Sequence, residues 1–265
     1  MEPDKALPGR RQVTDRFSHA LEQLGSTELY VRIGGVYSLQ QMMCNSAEHH
    51  NDIVEVLAAF VRAGAARNIA RDHCTWVQPV ASAFPDRPPT PAPDVQAALT
   101  VLAHRPLRPE RRKINLAGLH LAGAWLPGAD LVSVWLMGAD LTTATLDHAI
   151  LYRAYLRDAD LTFAHLDSAD LTDAVLENAD LFRADLKNAN LTEAFFGNAN
   201  LTRADLGNCD LTCAHFDGVD LTGAQLGPSA LAVPEGWTLG HTGKLERALQ
   251  DQPPYGHAVN ANHQT

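Results

Sequence analysis

An apolar residue recurs at every fifth position between Ile114 and Leu231, and this period of five limits the possible folds more than any other feature. The run contains 24 consecutive units without an insertion. The central residue is Leu in 22 of them, and Ala stands two residues earlier in 18. An amphipathic helix needs apolar steps of three and four, and a strand alternates every two residues. The run is therefore neither a helix nor a flat strand.

The pattern instead predicts a chain that turns a corner every five residues. Within each unit the Ala and the Leu point inward, and the residue between them points outward. Four such sides close a square coil of 20 residues, so the 24 units make six coils. At the usual spacing of strands, six coils are about 29 Å long. We expect side chains 20 positions apart to lie directly above one another, with backbone hydrogen bonds between successive coils.

The run Ala-(Asp/Asn)-Leu-x-x, as in Ala-Asp-Leu-Val-Ser at 129–133, resembles the pentapeptide-repeat family across residues 114–231. Members of that family form a right-handed quadrilateral β-helix, so the resemblance implies the same fold here. The best understood members resemble duplex DNA in shape and charge. They bind DNA gyrase or a related topoisomerase and protect it from quinolones or other poisons. The resemblance therefore also implies a protein partner, with DNA gyrase as the first candidate.

The chain before the repeats predicts a small all-α module, so the fold class is α+β in several parts: helices, then the β-helix. Apolar residues at helical spacing predict short antiparallel helices similar to HEAT-like pairs. The module also resembles the one that precedes pentapeptide repeats in some actinobacterial proteins. The predicted parts are a disordered tail at 1–11, the helical module at 12–104 with a proline-rich break at 79–93, a basic linker at 105–113, the β-helix at 114–231, and a C-terminal cap and disordered tail at 232–265.

Capping residues predict where the helices begin and end. Gly25 is expected to end the first helix, and Ser26 or Thr27 to cap the second. Asp94 is expected to cap the fourth helix. Three residues beyond the repeats are predicted to cover the open end of the last coil: Pro234, Trp237 and Leu239.

Outward residues 20 positions apart predict two acidic columns on opposite faces of the coil. The first acidic column contains Asp140, Asp160, Asp180 and Asp220, and the second contains Asp130, Asp170 and Asp210. Residues 114–231 carry 16 acidic and five basic side chains, a net charge of −11. A duplex of about 29 Å carries about 17 phosphate charges, so one interpretation is that the coil mimics DNA. The other is that Asp and Asn at the corners bond the local backbone and keep the coil soluble.

A third column is apolar and aromatic, and we name it the aromatic column. It consists of Trp135, Tyr155, Val175, Phe195 and His215. A stripe of this kind marks an interface if it is exposed. Three interpretations remain open: the helical module or the C-terminal tail packs over it, two copies of the chain pair through it, or a partner protein binds it. Phe196 and Phe216 point inward beside it and are expected to serve packing alone.

Five cations lie between the helical module and the coil: Arg105, Arg108, Arg111, Arg112 and Lys113. Charge runs of this kind are usually solvated, so we expect a solvated linker. A contact with the acidic coil or with nucleic acid is the alternative.

Composition excludes several classes of function. A net charge of −10 argues against free nucleic acid or an anionic membrane as the main partner. No apolar run is long enough to cross a bilayer, and the polar N-terminus is not a secretory signal. The four cysteines are too few and too scattered for a disulfide scaffold, so a reducing cytoplasm is predicted.

No motif for catalysis, metal binding or cofactor binding is evident in the sequence. The histidines and cysteines lack the spacing of metal ligands, and no glycine-rich phosphate loop is present. The sequence thus predicts a protein without enzymatic activity and without a cofactor. We expect an interaction module, and the more specific hypothesis is a DNA-mimicking binder of a type II topoisomerase. The alternative is a scaffold that uses the aromatic column and the helical module to bind an unrelated protein.

Overall fold

The computed structural model describes residues 7–72, 90–226, 237–239 and 245–247, and it consists of a helical module followed by a quadrilateral β-helix. The predicted fold class is therefore confirmed. Most of the proline-rich break, the last five residues of the repeat run and most of the predicted C-terminal cap lie outside the described residues. Among the residues that are described, no helix is both long and apolar enough to cross a membrane.

The described part of the module contains four helices, close to those that the apolar spacing predicts. They are α1 (Leu7–Leu24), α2 (Leu29–Asn45), α3 (His50–Asp72) and α4 (Pro93–Ala103). Helix α2 packs against α1 and α4, and α3 packs against α4. The side chains between them are fully buried, among them Leu39, Met43, Leu57 and Leu99. This core is continuous with the core of the coil.

The helix ends differ from the predicted ones in three places. Helix α1 begins at Leu7, so residues 7–11, predicted as part of a disordered tail, are helical. Neither Ser26 nor Thr27 caps α2, because Glu28 occupies the capping position without a side-chain bond. Asp94 does not cap α4 either. Pro93 begins that helix, and the Asp94 carboxylate instead pairs with Arg32 of α2, with an Nε–Oδ2 distance of 2.6 Å.

The coil repeats every 20 residues, as predicted. Parallel bridges join residues 20 apart from the pair Asn115–Trp135 to the pair Asn200–Asp220. The short strands β1 (Asp205–Leu206) and β2 (Gln225–Leu226) pair in parallel with the same offset. The inward Leu and Ala side chains of most coils are at most 1% exposed. Inside, small and large residues alternate and fill a narrow square section.

The corners of the coil have a backbone conformation that ordinary residues rarely adopt. Two residues after each central position, φ is positive at all 22 corners from Gly118 to Gly223. Sixteen of these residues are not glycine. The third residue of a type II turn needs positive φ, and the amide that follows donates to the central carbonyl, as from Ala144 to Leu141 at 2.9 Å. The backbone hydrogen bonds between coils thus stabilise the structure by more than the conformational strain at each corner costs.

Helix α4 covers the open first end of the coil. Within the coil, an outward residue donates its N–H to the carbonyl 21 residues earlier, as Trp135 does to Ile114 at 2.9 Å. Asp130 has no such coil before it, and its N–H donates to Ala103 at the end of α4, at 2.8 Å. The Gln96 amide bonds both the N–H and the carbonyl of Trp125, at 3.0 and 2.7 Å. Two backbone edges are therefore paired by the helix.

The basic linker is partly a buried clamp, so the expectation of a solvated linker is wrong for Arg105 and Arg108. The Arg105 side chain is 7% exposed, pairs with Glu110 and donates to the carbonyls of Leu102 and Asp130 at 2.7 Å. Arg108 donates to carbonyls at the end of α2. Arg105 touches the coil through a backbone carbonyl, not through a carboxylate of the acidic columns.

At the other end, β3 (Trp237–Leu239) and β4 (Leu245–Arg247) pair in an antiparallel fashion. Trp237 packs against the core, as its predicted covering role requires. Pro234 and the Leu239 side chain lie outside what the structure describes.

The corner conformation gives a first prediction. Thr143 is β-branched at φ 56°. We expect Thr143→Gly to raise the free energy of unfolding by about 0.5 kcal/mol, because relief of the left-handed strain exceeds the added entropy of the unfolded chain. Thr142→Gly, one residue earlier, is the control and should lower it by about 1 kcal/mol. Denaturant unfolding measures both, and equal losses for the two variants would contradict the account.

The clamp gives a second prediction. Arg105→Ala should lower the free energy of unfolding by about 3 kcal/mol, because it leaves the Glu110 carboxylate and two carbonyls without their buried partner. Arg112→Ala removes the same charge from a side chain that is 80% exposed and should have almost no effect. Thermal or denaturant unfolding of the two variants makes the comparison. Similar losses would mean that the linker charge matters and the burial does not.

Candidate functional site

The first acidic column stacks its carboxylates on three successive coils. Asp140 bridges Asp160, and Asp160 bridges Asp180. In each, one carboxylate oxygen accepts the backbone N–H two residues later: from Thr142 at 3.0 Å, from Thr162 at 2.9 Å and from Phe182 at 2.9 Å. Asp220 accepts from the N–H and the hydroxyl of Thr222 at 3.0 and 2.6 Å. The local backbone bonds proposed from the sequence are thus present.

Hydrogen-bond donors stand at both ends of this stack of three. His120 Nδ1 lies 2.5 Å from Asp140 Oδ2, and Asn200 Nδ2 donates to Asp180 Oδ1 at 2.9 Å. Two carboxylates about 5 Å apart repel by about 0.8 kcal/mol even at the dielectric constant of water, and these donors offset part of that cost. In the middle of the stack, Asp160 Oδ2 has no hydrogen-bond partner among the described residues. The turn therefore occupies one oxygen and leaves the other for an external donor.

The second acidic column has a different spacing. Ile150 and Asn190 alternate with its carboxylates, which lie on every second coil, about 10 Å apart. Asp210 accepts the Thr212 hydroxyl at 2.6 Å and the Thr212 N–H at 3.0 Å. These bonds, the hydroxyl first, hold the pKa of Asp210 below its ordinary value of 3.8. Hydrogen bonding, and not an ion pair, keeps this carboxylate charged.

Corner residues change the balance of charge between the two acidic faces. Each face of the coil consists of its outward column and the two corner residues that follow each central residue. Counted in this way, the side chains of the first acidic face include four carboxylates and two arginines. The second has five carboxylates and one arginine, Arg153, which donates to Asp173 at 3.0 Å and holds the pKa of that carboxyl below its usual range. The face with fewer stacked carboxylates is therefore the more negative one.

Further charged residues, missed when only the outward columns are considered, lie on the mixed face, the side of the coil opposite the aromatic column. The outward residues of this face are Trp125, Thr145, His165, Asp185, Asp205 and Gln225. Asp147 accepts the Asp167 N–H at 3.0 Å, and both belong to the position after the central residue. On the next coils Lys187 Nζ lies 3.1 Å from Asp205 and 3.2 Å from Asp185, and hydrogen bonds to both raise the pKa of the lysine. A comparison of the position after the central residue at intervals of 20 would have found Asp147, Asp167 and Lys187.

A cation–aromatic cluster on the first acidic face was also missed. The rings of Phe163 and Phe182 meet edge to face, with centroids 5.8 Å apart. The Arg183 guanidinium lies 5.4 Å from the Phe182 centroid and 5.7 Å from that of Phe163. Phe163 and Arg183 are 20 residues apart and share a corner column, whereas Phe182 belongs to the position before it, so no single column of the sequence contains all three residues. The cluster interrupts the negative surface beside Asp180.

Four of the five side chains of the aromatic column are exposed. The exposed fraction is 40% for Trp135, 42% for Tyr155 and 38% for Phe195. Val175 is half-buried, and His215 is exposed and stacks on Phe195 with centroids 4.6 Å apart. Covering by the helical module is therefore wrong for the described helices, and most of the C-terminal tail lies outside the described residues. Pairing of two copies and binding of a partner stay predictions.

The inward aromatic and sulfur side chains serve packing. Phe196 and Phe216 stack in the core with centroids 5.3 Å apart, as expected. Cys209 takes the place of an inward Ala, donates to the Leu186 carbonyl at 2.8 Å, and burial raises its pKa to about 12. Within the described ranges, no cluster of three or more His, Cys, Asp or Glu side chains could hold a metal ion.

A protein-family model described as pentapeptide repeats matches the coil in eight copies. The matched residues are 114–151, 139–178, 159–198, 179–216 and 199–227. A search of curated protein sequences found no match.

Solved structures similar to this chain include pentapeptide repeat proteins. Rfr23 from the cyanobacterium Cyanothece 51142 is 38% identical over 33% of this chain and 59% of its own, with a TM-score of 0.33. A pentapeptide repeat protein of the Arabidopsis thaliana thylakoid lumen is 34% identical over 41% of this chain and 71% of its own, with a TM-score of 0.31. QnrB1, a plasmid-mediated fluoroquinolone resistance protein, is 17% identical over 41% of this chain and 61% of its own, with a TM-score of 0.29. The chain thus spans less than two thirds of the length of Rfr23 and of QnrB1.

The Asp210 site gives a third prediction. Thr212→Val removes the hydroxyl that donates to Asp210, so the pKa of Asp210 should rise toward 3.8. A depressed pKa contributes stability above the unfolded value, and that stability is lost as the pH falls through the folded value. The wild type should therefore lose more stability on acidification than Thr212→Val. Carboxyl NMR titration measures the pKa, with Thr212→Ser as the control that keeps the hydroxyl. An unchanged pKa in Thr212→Val would contradict the assignment.

Proposed function

The chain belongs to the pentapeptide-repeat family, and on that basis we propose that its coil is a non-catalytic interaction surface that binds a type II topoisomerase such as DNA gyrase. In this proposal the acidic columns take the place of the phosphates of duplex DNA in the DNA-binding groove of the enzyme. Bound in this way, the protein would compete with DNA and protect the enzyme from poisons such as quinolones.

The observation that carries the proposal is the row of carboxylates held at fixed spacing along a straight coil. The Asp140, Asp160 and Asp180 side chains are each held by a backbone N–H, so their charges are fixed before a partner arrives. Preorganised acceptors lose little conformational entropy on binding. The coil carries 16 acidic side chains, and a duplex of similar length carries about 17 phosphates. Charge of this density would steer the coil toward a cationic groove.

Neutral variants of the first acidic column test the proposal. Asp140→Asn, Asp160→Asn and Asp180→Asn combined keep an oxygen that accepts the turn N–H, as Asn200 does in the same column at 3.0 Å. The triple variant should fold as the wild type does and bind gyrase at least about tenfold more weakly, because three negative charges that face the cationic groove are removed. A tenfold loss of affinity corresponds to about 1.4 kcal/mol of binding free energy. Charge reversal at the same three positions should abolish binding. Fluorescence anisotropy against purified gyrase measures affinity, and a supercoiling assay with and without a quinolone measures protection.

The control removes the same charge elsewhere. Asp147→Asn, Asp158→Asn and Asp217→Asn combined change the net charge equally but lie on the mixed and aromatic faces. This variant should bind nearly as the wild type. If both triple variants lose affinity equally, net charge matters and the column does not. If the wild type neither binds gyrase nor changes supercoiling, the proposal fails.

A second candidate function is a scaffold that binds an unrelated protein through the aromatic column and the helical module. The exposure of Trp135, Tyr155 and Phe195 in one line favours it, because contiguous exposed aromatic side chains mark interfaces. Added salt separates the two candidates. Binding through the acidic columns is screened by salt, whereas binding through the aromatic column should change little.

A further inference from the structure

A groove of 720 Å³ lies between α3 and the first coil, where the helical module meets the aromatic face. We propose that it binds an extended segment of a partner protein in which an apolar side chain adjoins a run of carboxylates. The inference rests on the second candidate function, because it names the chemistry of a partner for that face, and it does not depend on binding to gyrase. The volume of the groove is in the range of sites that bind ligands and short peptide segments.

The floor of the groove is apolar. Val54 and Ala58 of α3 and Ile114 at the start of the coil line it, and all three are almost fully buried. Trp135 forms one wall with 40% of its surface exposed. A large apolar side chain placed against Trp135 would bury this surface, and buried aromatic anchors contribute much of the affinity of protein interfaces.

The rim of the groove is cationic. Arg62, Arg112 and Lys113 line it, against the single carboxylate of Glu55. Arg62 Nη1 donates to the Asn115 carbonyl at 3.1 Å, which holds the guanidinium over the edge of the coil. Arg112 lies 3.9 Å from Glu55, with side chains 80% and 48% exposed, and so exposed a pair stabilises little. Lys113 has no ion pair among the described residues. These cations can therefore bind an incoming carboxylate.

Charge on the rest of the coil explains why an acidic segment fits here and not elsewhere. Residues 114–231 carry a net charge of −11, which repels acidic chains. On the aromatic face the first carboxylate is Asp158, one coil beyond Trp135, and Arg157 beside it pairs with Glu177. The end of this face next to α3 is therefore positive while the remainder is negative. A partner with carboxylates would be attracted at this end and repelled along the rest, which gives specificity as well as affinity.

The backbone at the edge of the first coil favours an extended segment over a helix. Helix α4 pairs the edge at Trp125 and at Asp130. At Asn115, by contrast, the N–H has no acceptor within the part of the chain that the structure describes. An extended segment in the groove can accept this hydrogen bond, as peptides do when they add to an open sheet edge. Beyond Trp135 the bound segment would continue along the aromatic column toward Tyr155.

A labelled peptide tests the groove in the full-length protein. The probe is a fluorescein-labelled peptide in which three glutamates precede Phe-Leu, measured by fluorescence anisotropy. Trp135→Ala should weaken binding about tenfold or more. Trp125→Ala is the matched control, because Trp125 lies on the neighbouring coil, is 63% exposed and faces away from the groove, so this variant should bind as the wild type does. Unfolding midpoints of both variants establish that they are folded.

Charge is tested from both sides of the contact. Replacing the three glutamates of the peptide by glutamines should weaken binding and reduce its dependence on salt. Arg62→Gln, Arg112→Gln and Lys113→Gln combined should bring the acidic peptide to the affinity of the neutral one. Agreement of these two losses supports the proposal. A peptide in which Gly-Ser replaces Phe-Leu should bind more weakly than the probe.

Any one of five results would overturn the proposal. The first is that the wild type does not bind the probe, and the second is that Trp125→Ala loses as much affinity as Trp135→Ala. The neutral peptide binds as well as the acidic one and depends on Phe195 as much as on Trp135, in which case the aromatic column binds protein but the groove does not select carboxylates. A thymidine oligonucleotide displaces the probe at lower concentration than unlabelled peptide, which would assign the groove to nucleic acid. Sedimentation shows a dimer that Trp135→Ala dissociates, which would assign it to a second copy.

Discussion

The hydrogen bonds between one coil and the next are the interaction on which the rest of this structure depends. Each coil donates to and accepts from its neighbours at offsets near 20 residues, and these bonds hold the Leu and Ala side chains in one narrow core. They also fix the corners in a left-handed conformation that 16 non-glycine residues would otherwise avoid. Because the offset never changes along the described coil, every outward position becomes a straight column, and the columns are what a partner meets.

The acidic columns show that one side chain can serve the fold and a surface at once. The carboxylate of Asp160 bonds the backbone through one oxygen, which stabilises the turn, and its other oxygen has no partner among the described residues. Asn190 and Asn200 make the same turn without charge. The turn therefore does not require a charged residue, and the choice of Asp over Asn sets the charge of the surface independently of the fold.

The helical module does more than precede the coil. A solenoid leaves unpaired backbone at its ends, and here α4 pairs two of the edges through Gln96 and Ala103 while Arg105 joins the linker to the first coil. The same docking places α3 beside Trp135 and gathers Arg62, Arg112 and Lys113 around an apolar floor. A contact that protects the end of the coil thus also forms a cationic groove.

The sequence by itself determined the coil. A period of five with alternating Ala and Leu has one compact solution, so the 20-residue stacking, the two acidic columns and the aromatic column could all be predicted. The helical spacing of apolar residues before the repeats separately predicted the helical module. Tertiary structure alone decided what distant segments do to one another. The burial of Arg105, the pairing of Asp94 with Arg32 and the groove beside Trp135 join residues that share no period. A local repeat records which way a side chain points. Which helix or corner lies opposite that side chain depends on the whole chain having folded.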